Sequence, residues 1–179
     1  AGQAMHLRQW VQTGYRLGGF AFVYETRLGD VERWRAAWEQ LQQRHPILRT
    51  MFVCVEGRAW QAVVPTTQPL QAHPRAAAPH DAVQAVLDQR AQLPADTQPW
   101  AAADVVPAAD SVYLVLHLFH PMYDAWSLPL LLDDLVALYE GRAPSAHADM
   151  ADLVALAPDA SAVAHHWAPL RTVAPCMLG

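Results

Sequence analysis

Residues 111–142, SVYLVLHLFHPMYDAWSLPLLLDDLVALYEGR, leave this chain the fewest choices. Positions 112–119 are apolar at nearly every residue and rich in β-branched and aromatic types, which is how a strand buried on both faces reads. From Leu128 onward the spacing becomes helical. Leu128, Leu131, Leu132, Leu135, Leu138 and Tyr139 share one face, and Asp133 and Asp134 fall outside it. Ser127 is placed to cap that helix, and Gly141 stands where a left-handed residue would end it. The short loop between strand and helix, residues 120–126, carries His120 and Asp124. Rigid elements on both sides of a loop hold its side chains where they can reach a ligand.

The rest of the chain has to supply what covers that unit. With 179 residues it can build one substantial core or two small lobes. Apolar residues make up 53% and charged ones 16%, the balance of a globular chain. A formal charge of -5 with scattered basic residues excludes a nucleic-acid partner held by phosphate neutralisation. No stretch approaches the roughly 18 consecutive apolar residues of a membrane-spanning helix. Cys54 and Cys176 match neither a disulfide framework nor a metal-ligand spacing, so they are expected as reduced thiols in a cytoplasmic protein. Ala1 in place of an initiator methionine, and an ending with no polar tail, suggest a piece of a longer polypeptide.

In chain order, residues 2–13 read as a short helix broken by Gly14, Gly18 and Gly19. Residues 20–28 alternate, with Phe20, Phe22, Tyr24, Thr26 and Leu28 on one face of a half-buried strand. Asp30 can cap a helix over 31–44, whose buried side is Val31, Trp34, Trp38 and Leu41 and which Pro46 ends. Residues 47–55 and 59–64 read as a hairpin turning at Glu56-Gly57-Arg58. A Pro-rich loop with a short strand near Leu70 follows, then a modest helix over 81–92, a loop over 94–99 and a strand over 100–106. After Gly141 an Ala-rich segment leads to a helix over 161–170. The class is therefore α+β, with helices packed on a largely antiparallel sheet.

His120 is the leading candidate for chemistry. At the end of a buried strand its ring can be held by packing while one edge faces a cavity, and a neutral imidazole accepts a proton from an amine or hydroxyl near neutral pH. The competing reading is a core histidine bonded to backbone. Asp124 could orient His120 as a triad acid does, but the intervening loop makes a structural ion pair the better expectation. Its partner would be Arg49, which alternates with Leu48 and Thr50 on the strand read there. A metal held by His117, His120 and Asp124 is disfavoured, because strand residues three apart face opposite sides. Ser127 lies in no G-x-S-x-G elbow, and His165-His166 read as solvated. The tryptophans at 34, 38, 60, 100, 126 and 167 read as core, with Trp126 near enough to His120 to line a pocket.

HPMYDAWSLPLLLDDL resembles the HHxxxDG active-site motif of condensation domains from non-ribosomal peptide synthetases, often continued by W-S. Arg44-His45-Pro46-Ile47-Leu48-Arg49-Thr50-Met51-Phe52 matches that family's R-H-x-x-L-R-T-x-F in full, in the right order and at the right spacing. Ala1-Gly2-Gln3 and the Trp167 segment look like the start and close of the family's first lobe, so residues 1–179 are expected to be an N-terminal lobe without its C-terminal one. The Y-D-x-W-S-L-P-L-L continuation is similar to fungal synthetases, including those of hydroxamate siderophores.

The resemblance implies a chloramphenicol acetyltransferase-like lobe and an acyltransferase whose tunnel lies between two lobes. Carrier-protein domains would bring substrates on phosphopantetheine, the lobe itself binding no cofactor. A peptide bond would form, with His120 as base or amine positioner and Asp124 and Arg49 as structural motif residues. Ala125 and Trp126 would line the pocket, and no metal is implied. Alternatives within the resemblance are a terminal domain that releases product by cyclisation or esterification, and a degenerate lobe that only docks carrier proteins. Two positions depart from the motif. Phe119 replaces its first histidine, whose side chain would point into the lobe. Ala125 replaces its glycine, at a cost of about 1 kcal/mol if the backbone there has positive φ. Alone, the lobe is expected to hold the histidine without a complete tunnel, and so to be inactive.

Overall fold

The computed structural model describes residues 19–56, 58–92, 100–146, 156 and 159–168. The helix read over 2–13, the loop over 94–99 and Cys176 lie outside them. Residues 1–144 form one compact unit and 145–179 a second. In the first unit β1 (Gly19–Thr26), β4 (Gln71–Ala72), β5 (Ala101–Pro107) and β6 (Val112–Phe119) make one sheet in the order β1-β6-β5-β4. All neighbours are antiparallel except β4 and β5. The pair β2 (Thr50–Val55) and β3 (Arg58–Val63) stands apart as an antiparallel hairpin turning through Glu56, whose φ is +50°.

Two helices cover one face of the sheet. α1 (Val31–Arg44) begins at Asp30, whose carboxylate accepts from the Glu32 and Arg33 amides. It buries Trp34, Trp38 and Leu41 at the 3.6-residue period. α3 (Ser127–Tyr139) adds Leu131, Leu135 and Tyr139, and these residues meet Leu114, Leu116 and Leu118 of β6. Burying one such side chain stabilises by roughly 1.5–3 kcal/mol. The other face belongs to α2 (Pro79–Gln92), whose Val83 and Val86 pack against Tyr113 and Val115 of β6 and Val106 of β5. Successive β6 side chains thus enter opposite layers, and a continuous apolar run is what that demands.

α3 ends as expected. Gly141 has φ +73°, its amide donates to Leu138 O (3.1 Å), and the Arg142 amide donates to Ala137 O (2.8 Å). Those are the two bonds of a Schellman motif. In the second unit α4 (Ala160–Trp167) is capped by Asp159, which accepts from the Ala162 amide at 2.8 Å. His165 and His166 are exposed, as read.

Three expectations need correction. Residues 47–55 are not one strand: Pro46–Arg49 form a 3-10 turn and β2 begins at Thr50. Proline fixes φ near the helical value, and the Thr50 hydroxyl closes the turn on Pro46 O at 3.0 Å. Asp134 is not outside the buried face of α3 but 1% exposed, at the seam with α1. Arg44 Nε at 3.0 Å and His45 Nε2 at 2.8 Å on its Oδ2 meet the charge there. Neither Trp60 nor Trp126 is core. Trp126 is exposed in the loop before α3, and Trp60 is exposed opposite Val53 on the outward face of the hairpin, while Phe52 on the inner face is buried.

Candidate functional site

The corner after β6 is a short 3-10 turn, His120–Met122, in which Pro121 and Met122 are buried and His120 is half-buried with Nδ1 inside. Aromatic rings flank the imidazole. Phe20 of β1 makes an edge contact with it, centroids 5.4 Å apart at 78°. Tyr123 lies on it at 5.1 Å and 40°, and itself meets Phe22 edge-on at 5.3 Å. Burial, and after it the charge of Tyr24, push the Tyr123 phenol up. The histidine is therefore not sealed among aliphatic side chains. Phe20 is 51% exposed and Trp126, farther along the loop, 85%. Trp126 and Ala125 are exposed beside the corner, with no pocket among those described lined by either.

Asp124 shapes the loop without reaching His120. Its Oδ1 accepts from the amides of Trp126 (3.0 Å) and Ser127 (2.7 Å), and its carbonyl accepts from the Leu128 amide (3.1 Å). The Ser127 hydroxyl accepts from the Asp124 amide and donates to Oδ1, each at 2.8 Å. That is a reciprocal capping box in which Asp124 takes the role read for Ser127, and Ser127 closes it from the third position. The bonds from Ser127, backbone first and hydroxyl second, hold the exposed carboxyl below the ordinary aspartate range.

The expected Asp124–Arg49 ion pair is not formed. Placed in the 3-10 turn, Arg49 turns toward the end of α1, where Nε donates to Gln42 O (2.9 Å) and Nη1 to Val64 O (2.5 Å). Those oxygens include one of the carbonyls a helix C-terminus leaves unpaired. Each residue binds backbone groups, in separate places.

The whole segment from Arg44 to Phe52 does similar work. Arg44 and His45 fasten α1 to Asp134 of α3, Leu48 is core, and Phe52 meets Trp100 (5.5 Å) and Phe119 (5.7 Å) edge-on. Phe119 points into the lobe, 4.4 Å from the Trp100 ring, so a phenylalanine there adds core packing beside His120. Among the described non-glycine residues only Glu56 has positive φ, so Ala125 carries no left-handed strain.

A second polar cluster escaped the sequence. Asp104 of β5, 2% exposed, receives Arg90 of α2 on Oδ2 through Nε (3.2 Å) and Nη2 (3.0 Å). His73 Nε2 lies 2.8 Å from Oδ1 and His117 Nε2 3.2 Å from Oδ2. His117 thus faces α2, away from His120, as its spacing predicted. Burial by itself would raise the Asp104 pKa. Bonding to His117 and His73, with the charges of Arg90 and His117, lowers it instead from 3.8 to about 2. The legible signal was an aspartate inside AAADVV, a run otherwise fit only for the interior.

No grouping among the described residues could hold a metal ion, and none of their helices is long and apolar enough to cross a membrane. A cleft of about 880 Å³ opens at the other end of the sheet, lined by Glu25, Arg27, Arg75, Asp110 and Tyr113 among others, and does not include His120.

Comparison with known proteins agrees with this architecture. The family described as Condensation domain matches residues 20–150. The chain is 34% identical over 155 residues to the nonribosomal peptide synthetase fso1 of Omphalotus olearius, covering 79% of this chain and 3% of that protein. It is 31% identical over 177 residues to the siderophore peptide synthetase fer3 of Mycosarcoma maydis, covering 84% of this chain and 4% of that one. Among solved structures, the starter condensation domain of rhizomide synthetase RzmA superposes with a TM-score of 0.75 at 16% identity. That match takes in 97% of this chain and 47% of the other.

Proposed function

The chain belongs to the condensation-domain family, and from that membership we propose that it is the N-terminal lobe of such a domain and serves acyl transfer in non-ribosomal peptide synthesis. The amine of one substrate attacks the thioester carbonyl of the other. The carbon–sulfur bond breaks, the thiol leaves, and an amide forms. His120 accepts the amine proton or holds the amine for attack. The single observation that carries this is a half-buried imidazole at the strand end, against the half-exposed ring of Phe20.

The substrates arrive on the phosphopantetheine arms of carrier-protein domains, and the lobe binds no cofactor of its own. A second lobe supplies the facing wall of the tunnel. Coverage of less than half of the superposed condensation domain supports that division. The setting is a cytoplasmic synthetase, and similarity to the siderophore peptide synthetase favours a siderophore-forming one. Phe119 lends no weight to a degenerate docking lobe, since its ring is spent on the core.

The test is transfer between carrier-bound aminoacyl thioesters, by the chain alone and by a complete condensation domain containing it. The chain alone should give no product, the complete domain should, and His120→Ala should abolish turnover. Efficient peptide formation by the isolated chain would refute the lobe assignment. An unchanged rate in His120→Ala would refute the role of the imidazole.

A further inference from the structure

Four rings interlock at the corner, and their order follows from backbone geometry. Phe20 and Phe22 are two apart on β1, so they project from the same face. His120 and Tyr123 are three apart across a 3-10 turn, the spacing at which side chains eclipse. The two pairs interdigitate: Phe20 meets His120, His120 meets Tyr123, and Tyr123 meets Phe22. The register places Phe20 opposite Leu118, so its Cα is fixed against the strand that delivers His120. The imidazole is held between a ring from β1 and a ring from its own loop.

Phe20 differs from the others in remaining half exposed. An aromatic side chain on an edge strand gains little by facing water, and its neighbour Leu118 is already covered by the core. We propose that Phe20 is a positioning residue: its ring fixes the orientation of the His120 imidazole, and its exposed surface forms an apolar wall against which the carrier-bound acyl or aminoacyl group packs. The second half of this inference rests on the acyl-transfer function; the first does not. Tyr123 contacts the same imidazole from its own loop. A rigid ring serves better than a flexible aliphatic chain here, since it brings a large contact area with few torsions to freeze.

The experiment compares Phe20→Tyr, Phe20→Leu and Phe20→Ala with the parent chain. The first readout is heteronuclear NMR of the His120 ring, assigned by the signals missing from His120→Gln. The parent and Phe20→Tyr should show one sharp set of imidazole resonances with cross-relaxation to the residue 20 ring. Phe20→Ala and Phe20→Leu should show broadened or doubled resonances, with the far-ultraviolet spectrum and thermal midpoint unchanged. One sharp set in Phe20→Leu, in the parent orientation, would overturn the positioning role, because leucine keeps the bulk and loses the ring. The second readout is turnover in a complete condensation domain. Phe20→Ala should lower kcat by on the order of tenfold to a hundredfold, and Phe20→Tyr should restore it. Parent kcat and KM in Phe20→Ala would overturn the wall. Loss of transfer in the parent domain would count against the acyl-transfer function and leave the NMR result standing.

Discussion

Removing the charge of Asp104 should unfasten α2 from the sheet, and the size of the effect follows from its surroundings. The carboxylate is 2% exposed and faces Arg90, His73 and His117, which come from α2, the segment after β4, and β6. Its folded pKa lies at about 2 against 3.8 in an unfolded chain. A depressed carboxyl binds its proton less readily when folded, so its contribution is complete above roughly pH 4 and is lost as pH falls through about 2. The difference corresponds to about 2 kcal/mol at neutral pH. Asp104→Ala goes further, because it strips Arg90 and two histidines of a buried acceptor, and should cost about 3–5 kcal/mol. Against a total stability of roughly 5–15 kcal/mol that is a large fraction. Urea unfolding followed by tryptophan fluorescence between pH 7 and pH 2 measures both effects. Asp104→Asn, similar in shape but uncharged, should be less stable than the parent at pH 7 and converge on it as the parent acidifies. A constant gap between Asp104→Asn and the parent down to pH 2, or a cost below about 1 kcal/mol for Asp104→Ala, would refute the reasoning.

Asp124→Ala should destabilise by about 1 kcal/mol, as should Ser127→Ala, and the double variant should cost less than the sum, since both break one capping box; equilibrium unfolding of the three decides it. Asp134→Leu should be tolerated better than Asp134→Ala, because leucine fills the seam with α1 while alanine leaves Arg44 and His45 facing a gap; thermal midpoints rank them. Ala125→Gly should lower stability slightly, by less than about 1 kcal/mol, since the backbone there is not left-handed. A gain in stability would mean the alanine is strained after all.

The elements were legible wherever one physical signal dominated. The buried strand, the capped α1 and the Gly141 terminus each rest on local rules, and local rules suffice for them. The partners of Asp134 and Asp104 were not legible, because a carboxylate enters the interior only when groups distant in sequence come to meet it. Arg44 and His45 precede Asp134 by some ninety positions (His45 to Asp134 spans 89), and Arg90 and His117 bracket Asp104 from different elements. No periodicity encodes such meetings. The Asp124–Arg49 pairing failed for a related reason. A guanidinium and a carboxylate were matched by charge, whereas each found nearer neutral partners: two backbone carbonyls for Arg49, amides and a hydroxyl for Asp124.

The two sequence motifs meet in space through packing and not through the imidazole. Phe52, from the first, meets edge-on Phe119, the residue just before His120 in the second. Arg44 and His45 grip the helix whose first turn Asp124 caps. The corner is thus held from below by rings and from behind by a helix. These anchors do not include His120, whose Nδ1 is buried and whose ring meets Phe20 and Tyr123 at 5.1–5.4 Å. His120→Gln should therefore unfold within about 1 kcal/mol of the parent. A loss of several kcal/mol would place the ring among the structural residues and remove the reason for assigning it chemistry.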